Sequence, residues 1–311
     1  MVEVNGHMSK AMFNPPLMVR EVGLLLLLSL IWGGSFTLIK IAVDSIPPFT
    51  MVAARLMVAA PLLVLFCRLR GFSFPRERTV WIAFLVQGLL QSALPFTLIT
   101  QGETQIGSGL AGVLNATPPI FVLLIALVSS RGRQSLDGRK ITGVTLGLGG
   151  VVVTIGWDAL HDMGSAAAMA QLAVLGASLC YALAPIWGRR FIGLPAPVTA
   201  AGAMSCAALL LLPAAIIIER PWSLAPTGEA VLAVIVLAVL CTAVAMVLYF
   251  RLIRTLGALG TTSGSYLRAG FAVLLGMLFL DESLTWSGLA GMALILLGVV
   301  CVTLPSRRME G

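Results

Sequence analysis

Three cations stand inside stretches that are otherwise too apolar to hold them: Lys40, Arg55 and Arg268. Arg268 falls about eleven residues into an apolar stretch over 258–280, roughly 16 Å deep at ~1.5 Å per residue, near the middle of a ~30 Å hydrocarbon core. A charge at that depth is costly unless it faces water or a partner. A guanidinium placed there can grip a carboxylate or phosphate by parallel hydrogen bonds, or else bond the carbonyls of a helix end. Arg55, about eight residues inside its own stretch, is a candidate binding residue whose alternative is a structural bond within the bundle. Lys40 lies close to a helix end and is expected to snorkel to the surface. No acidic side chain is expected deep in any apolar stretch, so the three cations together favour an anion or a zwitterion.

Other polar groups share those stretches. Gln87 and Gln91 are one helical turn apart and present their amides on one face, toward a cavity or a neighbouring helix. Asn115 and Thr117 precede Pro118-Pro119, which remove backbone donors, so this segment is expected to kink and to serve in gating or packing. Trp32, Tyr181 and Tyr266 are deep aromatics whose polar atoms need partners, and they are candidates for a cavity wall. Trp187 and Tyr249 fall near a surface and are expected to anchor in the interface.

Only a membrane-embedded scaffold can hold such residues. The chain has 311 residues, 59% hydrophobic and 11% charged, with a mean hydropathy of +1.01. Ten stretches approach the ~20 residues that a spanning helix needs, at 20–43, 47–67, 79–100, 107–129, 141–157, 169–189, 196–218, 229–250, 258–280 and 286–304. The predicted fold is therefore an all-α integral membrane protein with ten transmembrane helices. The basic residues fall on alternate connections: Lys10 and Arg20, Arg68 to Arg78, Arg131 to Lys140, Arg189 and Arg190, Arg251 and Arg254, and Arg307 and Arg308. Arg220 alone falls on the other side, beside acids that include Asp44, Glu103, Asp281 and Glu282. The positive-inside rule then predicts that both termini are cytoplasmic.

An offset of about 150 residues brings two halves into register, 20–157 and 169–304, each with five apolar stretches. Gly143 meets Gly291, and Gly150-Val151-Val152 meets Gly298-Val299-Val300. Because five is odd, the second half must enter the membrane from the opposite side, which predicts two inverted five-helix repeats around a central cavity.

Trp32-Gly33-Gly34-Ser35-Phe36 followed by Lys40, then Arg55-Leu56, then Phe271 to Gly276 with Glu282-Ser283-Leu284-Thr285, resemble the EamA branch of the drug/metabolite transporter superfamily over nearly the whole chain. The resemblance implies ten helices in two inverted repeats and export of small metabolites, amino acids or toxic compounds. The chain departs from the family pattern twice. Arg268-Ala269 stands where a neutral residue and a proline are common, and Ser130-Arg131-Gly132 replaces a glutamate usual at the end of the fourth helix.

The net charge of +7 is spread over loops on one side, which argues against nucleic acid. The five cysteines, Cys67, Cys180, Cys206, Cys241 and Cys301, lack paired spacing, and both histidines lie outside the apolar stretches, so no metal, cofactor or catalytic dyad is expected. An intramembrane enzyme or a channel is the weaker reading. The expectation is an alternating-access exporter in a bacterial inner membrane that moves amino acids or related zwitterionic or anionic compounds. Uniport or exchange is preferred to proton-driven drug antiport because no deep acid is expected. The partners expected are a small-molecule substrate and the lipid bilayer, with the chain a monomer or a weak homodimer; Gly143-x-x-x-Gly147 is expected to serve close helix packing, with a dimer face as the alternative.

Overall fold

The computed structural model describes residues 15–128, 138–155, 165–262, 264–283 and 286–303. Among them every regular element is a helix: α1 Pro15–Val43, α2 Pro48–Leu69, α3 over Arg78–Glu103, α4 Ser108–Leu114, α5 Pro118–Val128, α6 Gly138–Ile155, α7 Ala166–Gly188 and α8 Ala196–Glu219. Next, α9 runs from Gly228–Ala238 through a π turn, Val239–Val244, into Ala245–Thr262, and is followed by α10 Gly264–Phe279 and α11 Trp286–Thr303. Among the described residues seven segments are long and apolar enough to cross a bilayer, counting α4 and α5 as one, and three shorter apolar helices lie at Ile141–Thr154, Leu267–Phe279 and Trp286–Cys301. The chain is an all-helical, multi-pass membrane protein.

Successive segments run in alternate directions, as the contacts at their ends require. On the face that carries Pro15 and Thr303, the terminal face, Arg251 of α9 pairs with Glu21 of α1 at 2.5 Å, and Arg139 Nε of α6 donates to the Cys301 carbonyl at 3.1 Å. On the opposite, distal face the acids act as caps. Glu219 accepts from the Phe49 and Thr50 amides at 3.0 and 2.6 Å, and Glu282 from the Ser108 and Gly109 amides at 2.5 and 3.0 Å, which satisfies the orphan donors that begin α2 and α4.

Small residues set the closest helix pair. A Cβ at Gly298 of α11 would meet the Gly143 carbonyl and the Gly147 amide at 2.5 Å, and one at Gly150 would meet the Gly291 carbonyl at 2.7 Å. Gly143, Gly147 and Gly150 of α6 thus pack against α11 of the same chain, the close helix contact that their spacing predicts. A second close approach places Gly33 of α1 beneath α10, where a Cβ would meet the Arg268 carbonyl at 2.8 Å. Any side chain at Gly33 would push Arg268 out of position.

Candidate functional site

Two prolines open the fourth segment. In a continuous helix the amides of residues 118 and 119 would bond the carbonyls of Leu114 and Asn115, but Pro118 and Pro119 have no amide hydrogen. The helix stops at Leu114 and restarts at Pro118. The freed carbonyls are then taken by side chains. Ser178 Oγ of α7 and Thr117 Oγ1 donate to the Leu114 carbonyl at 3.0 and 2.7 Å, and Arg268 Nη2 of α10 donates to the Asn115 carbonyl at 2.9 Å. The Asn115–Pro119 break and Arg268, far apart in sequence, are therefore one structural unit.

Two π turns shape the wall beside it. In α3 the turn spans Leu89–Ala93, just before Pro95, whose ring would clash with the carbonyl four residues back, that of Gln91. Widening the helix there relieves the clash and brings Gln91 to the cavity. In α9 the turn spans Val239–Val244, and Thr242 Oγ1 donates back to the Leu237 carbonyl at 2.8 Å. That hydroxyl also accepts from Arg55 Nε at 2.8 Å, while the Arg55 guanidinium lies 4.1 Å from the Phe96 ring centroid. Arg55 is 5% exposed and held in one orientation by a hydrogen bond and a cation–π contact.

Arg55, Gln91, Asn115, Pro118, Tyr181, Trp32 and Arg268 all line one cavity of about 290 Å³. Trp32 Nε1 donates to the Cys241 carbonyl at 3.2 Å, and its ring packs on Tyr249 at 5.5 Å. Apolar side chains such as Leu25, Phe36, Ile39 and Met246 also line the wall, and no aspartate or glutamate is among its described lining residues. A cavity of this kind, apolar with a few fixed polar groups, suits a small polar molecule with a carbon skeleton.

The profile of the EamA-like transporter family matches the chain twice, over residues 19–156 and 168–304. The chain belongs to the EamA-like transporter family. It is 31% identical to the inner membrane transporter YedA of Escherichia coli, over 91% of this chain and 90% of that one. It is 27% identical to the transporter YoaV of Bacillus subtilis, over 87% of this chain and 92% of that one. A solved crystal structure, 20% identical, superposes with a TM-score of 0.62 over 93% of this chain and 99% of that one, a likeness of fold.

Several positions in this EamA-like chain differ from the sequence expectation. Gln87 is buried but does not line the cavity; its Nε2 donates to Gln91 Oε1 at 2.7 Å, so one glutamine holds the other at the wall. Tyr249 lines the cavity instead of anchoring at the interface, because α9 turns that face toward Trp32. Lys40 does not snorkel. Its Nζ donates to the carbonyls of Glu103 and Ile106 at 2.7 and 3.1 Å, capping the end of α3. Two acids are buried at helix ends: Glu21 is 3% exposed, and Glu103 is 0% exposed with neither carboxylate oxygen hydrogen-bonded. Glu103 reads as a loop residue because it stands at the end of an apolar run, but α3 extends through it and α7 packs over it, with Gly102 against Val174 and Ala170. The Tyr266 side chain and Ser130-Arg131-Gly132 lie outside the described residues.

Thr242 and Phe96, which hold Arg55, carry no signal in the sequence that marks them as site residues. Pro95 was the available signal for a displaced turn in α3; α9 has no proline in its π turn, and no comparable signal exists there.

Proposed function

We propose that this EamA-like chain is an alternating-access exporter of small anionic or zwitterionic metabolites, in a bacterial inner membrane with both termini cytoplasmic. The observation that carries the reading is the single cavity that gathers Arg55, Arg268, Trp32, Gln91, Asn115 and Tyr181. In this reading the two halves are inverted five-helix repeats, and the cavity between them opens to each face in turn. Arg268 meets the anionic group of the substrate, and the Asn115–Pro119 break is the joint that moves, because a segment without continuous backbone hydrogen bonds bends at little cost. The inner-membrane location of the relative YedA supports the same placement for this chain.

Saturable counterflow tests this reading. Purified protein in liposomes preloaded with one unlabelled compound is assayed for uptake of the labelled form, across amino acids, organic acids, sugar phosphates and lipophilic cations. Trans-stimulated uptake of an anion or zwitterion is expected; preference for a permanent cation would sink the reading.

Uniport or exchange is the simplest energetic scheme. Proton-driven antiport is the second reading, favoured by Glu103, an intramembrane acid out of reach of water and lipid. Accumulation of substrate driven by a pH gradient alone, lost in Glu103→Gln, would decide for the second.

A further inference from the structure

Among the described residues, the cavity wall carries two positive charges and no carboxylate. Arg55 comes from α2 and Arg268 from α10, and each spends one nitrogen on a neutral oxygen, Thr242 Oγ1 at 2.8 Å and the Asn115 carbonyl at 2.9 Å. Both Nη atoms of Arg55 and Nη1 of Arg268 donate to no described protein atom, and Arg268 Nε is buried without a partner. Both guanidiniums line the same cavity as Tyr181. Glu103 acts on Arg55 only from a distance: it makes no hydrogen bond and does not line the cavity. The ion pair of Arg251 with Glu21 lies at the terminal face and is already complete.

Buried charges call for counter-charge. Here the counter-charge has to arrive with the ligand, and two guanidinium forks match two acidic groups or one doubly charged head. An ammonium group in the same space would meet two like charges, and the wall offers it only neutral oxygens. Gln91 Oε1, one of those, already accepts from Gln87.

We propose that the transported species is a small organic dianion, a dicarboxylate or a phosphomonoester, that carries no free ammonium group. This rests on the carrier reading and narrows its substrate. The test uses the full-length protein in proteoliposomes, with glutarate, glycerol 3-phosphate, glutamate, butyrate and leucine as probes. Glutamate is the decisive control, since it repeats the two carboxylates of glutarate and adds an ammonium.

The expected result is counterflow of glutarate or glycerol 3-phosphate, with half-saturation at least about tenfold lower than for glutamate or butyrate. Which of the two is taken separates the dicarboxylate from the phosphomonoester. Arg55→Gln is expected to bring the dianion-to-butyrate ratio close to one, and Arg55→Lys, which keeps the charge, to retain part of it. Counterflow of leucine or glutamate as strong as that of glutarate leaves the carrier standing and overturns the dianion. Absence of counterflow for all five probes, in protein that melts cooperatively, overturns both. A ratio unchanged in Arg55→Gln also overturns the two-arginine site.

Discussion

Replacing Arg268 with Gln separates the two jobs that the structure gives this side chain. In the wild type one nitrogen covers the Asn115 carbonyl at 2.9 Å, and the rest of the guanidinium faces the cavity or is buried unpartnered. Gln is too short to reach that carbonyl, so the carbonyl loses its bond, a cost of about 1–3 kcal/mol. The same change removes a buried cation whose desolvation costs several kcal/mol. These terms oppose each other, and the melting temperature of the variant is expected to be equal to or above that of the wild type. Substrate binding has no such offset. Loss of one charge-assisted hydrogen bond to an anion costs about 1.5–3 kcal/mol, which at ~1.4 kcal/mol per tenfold is a rise of about 10- to 150-fold in the half-saturation constant. The assay is counterflow with whichever acid the proteoliposome panel accepts, run beside a thermal melt in detergent. A variant with a raised melting temperature and an unchanged half-saturation constant would refute the reasoning and leave Arg268 as a cap on Asn115 alone.

Gly298→Ala is expected to destabilise by about 1–3 kcal/mol, because its Cβ would press on the Gly143 carbonyl and the Gly147 amide, whereas Gly149→Ala, with open space around it, leaves the melt unchanged. Glu282→Ala removes the acceptor for the Ser108 and Gly109 amides and is expected to cost about 1–2 kcal/mol in the same melt, with Glu282→Gln recovering part of it. Pro119→Ala restores an amide that can bond the Asn115 carbonyl in competition with Arg268; counterflow is expected to slow severalfold while the melt is retained or rises, and an unchanged rate would show that the break plays no part in transport. Trp32→Phe keeps the ring beside Tyr249 but loses the bond to the Cys241 carbonyl, so a loss of about 1 kcal/mol is expected in the melt.

Arg268, Asn115 and Pro118 could each be picked out of the sequence because a charge or a missing donor in hydrocarbon demands explanation wherever it stands. What they do for one another could not be picked out. The partner of Arg268 is a carbonyl 153 positions away, and carbonyls carry no residue identity. Gln87 and Gln91 were legible as a pair on one face, but only packing decided that Gln91 reaches the cavity while Gln87 holds it. Glu103 was misplaced because burial of an end residue depends on what crosses over it, here α7, and the local sequence of α3 does not contain α7.

Composition and the spacing of apolar runs determined by themselves that the chain is helical and embedded in a membrane, since both follow from the solvent that each segment must meet and from the backbone hydrogen bonds each must close within itself. The family followed from motifs that are local in sequence. The cavity and the two guanidiniums gathered in its wall were decided by the tertiary structure alone. Each is a relation between helices brought together by packing, and helix packing depends on the fit of distant surfaces that no single segment specifies.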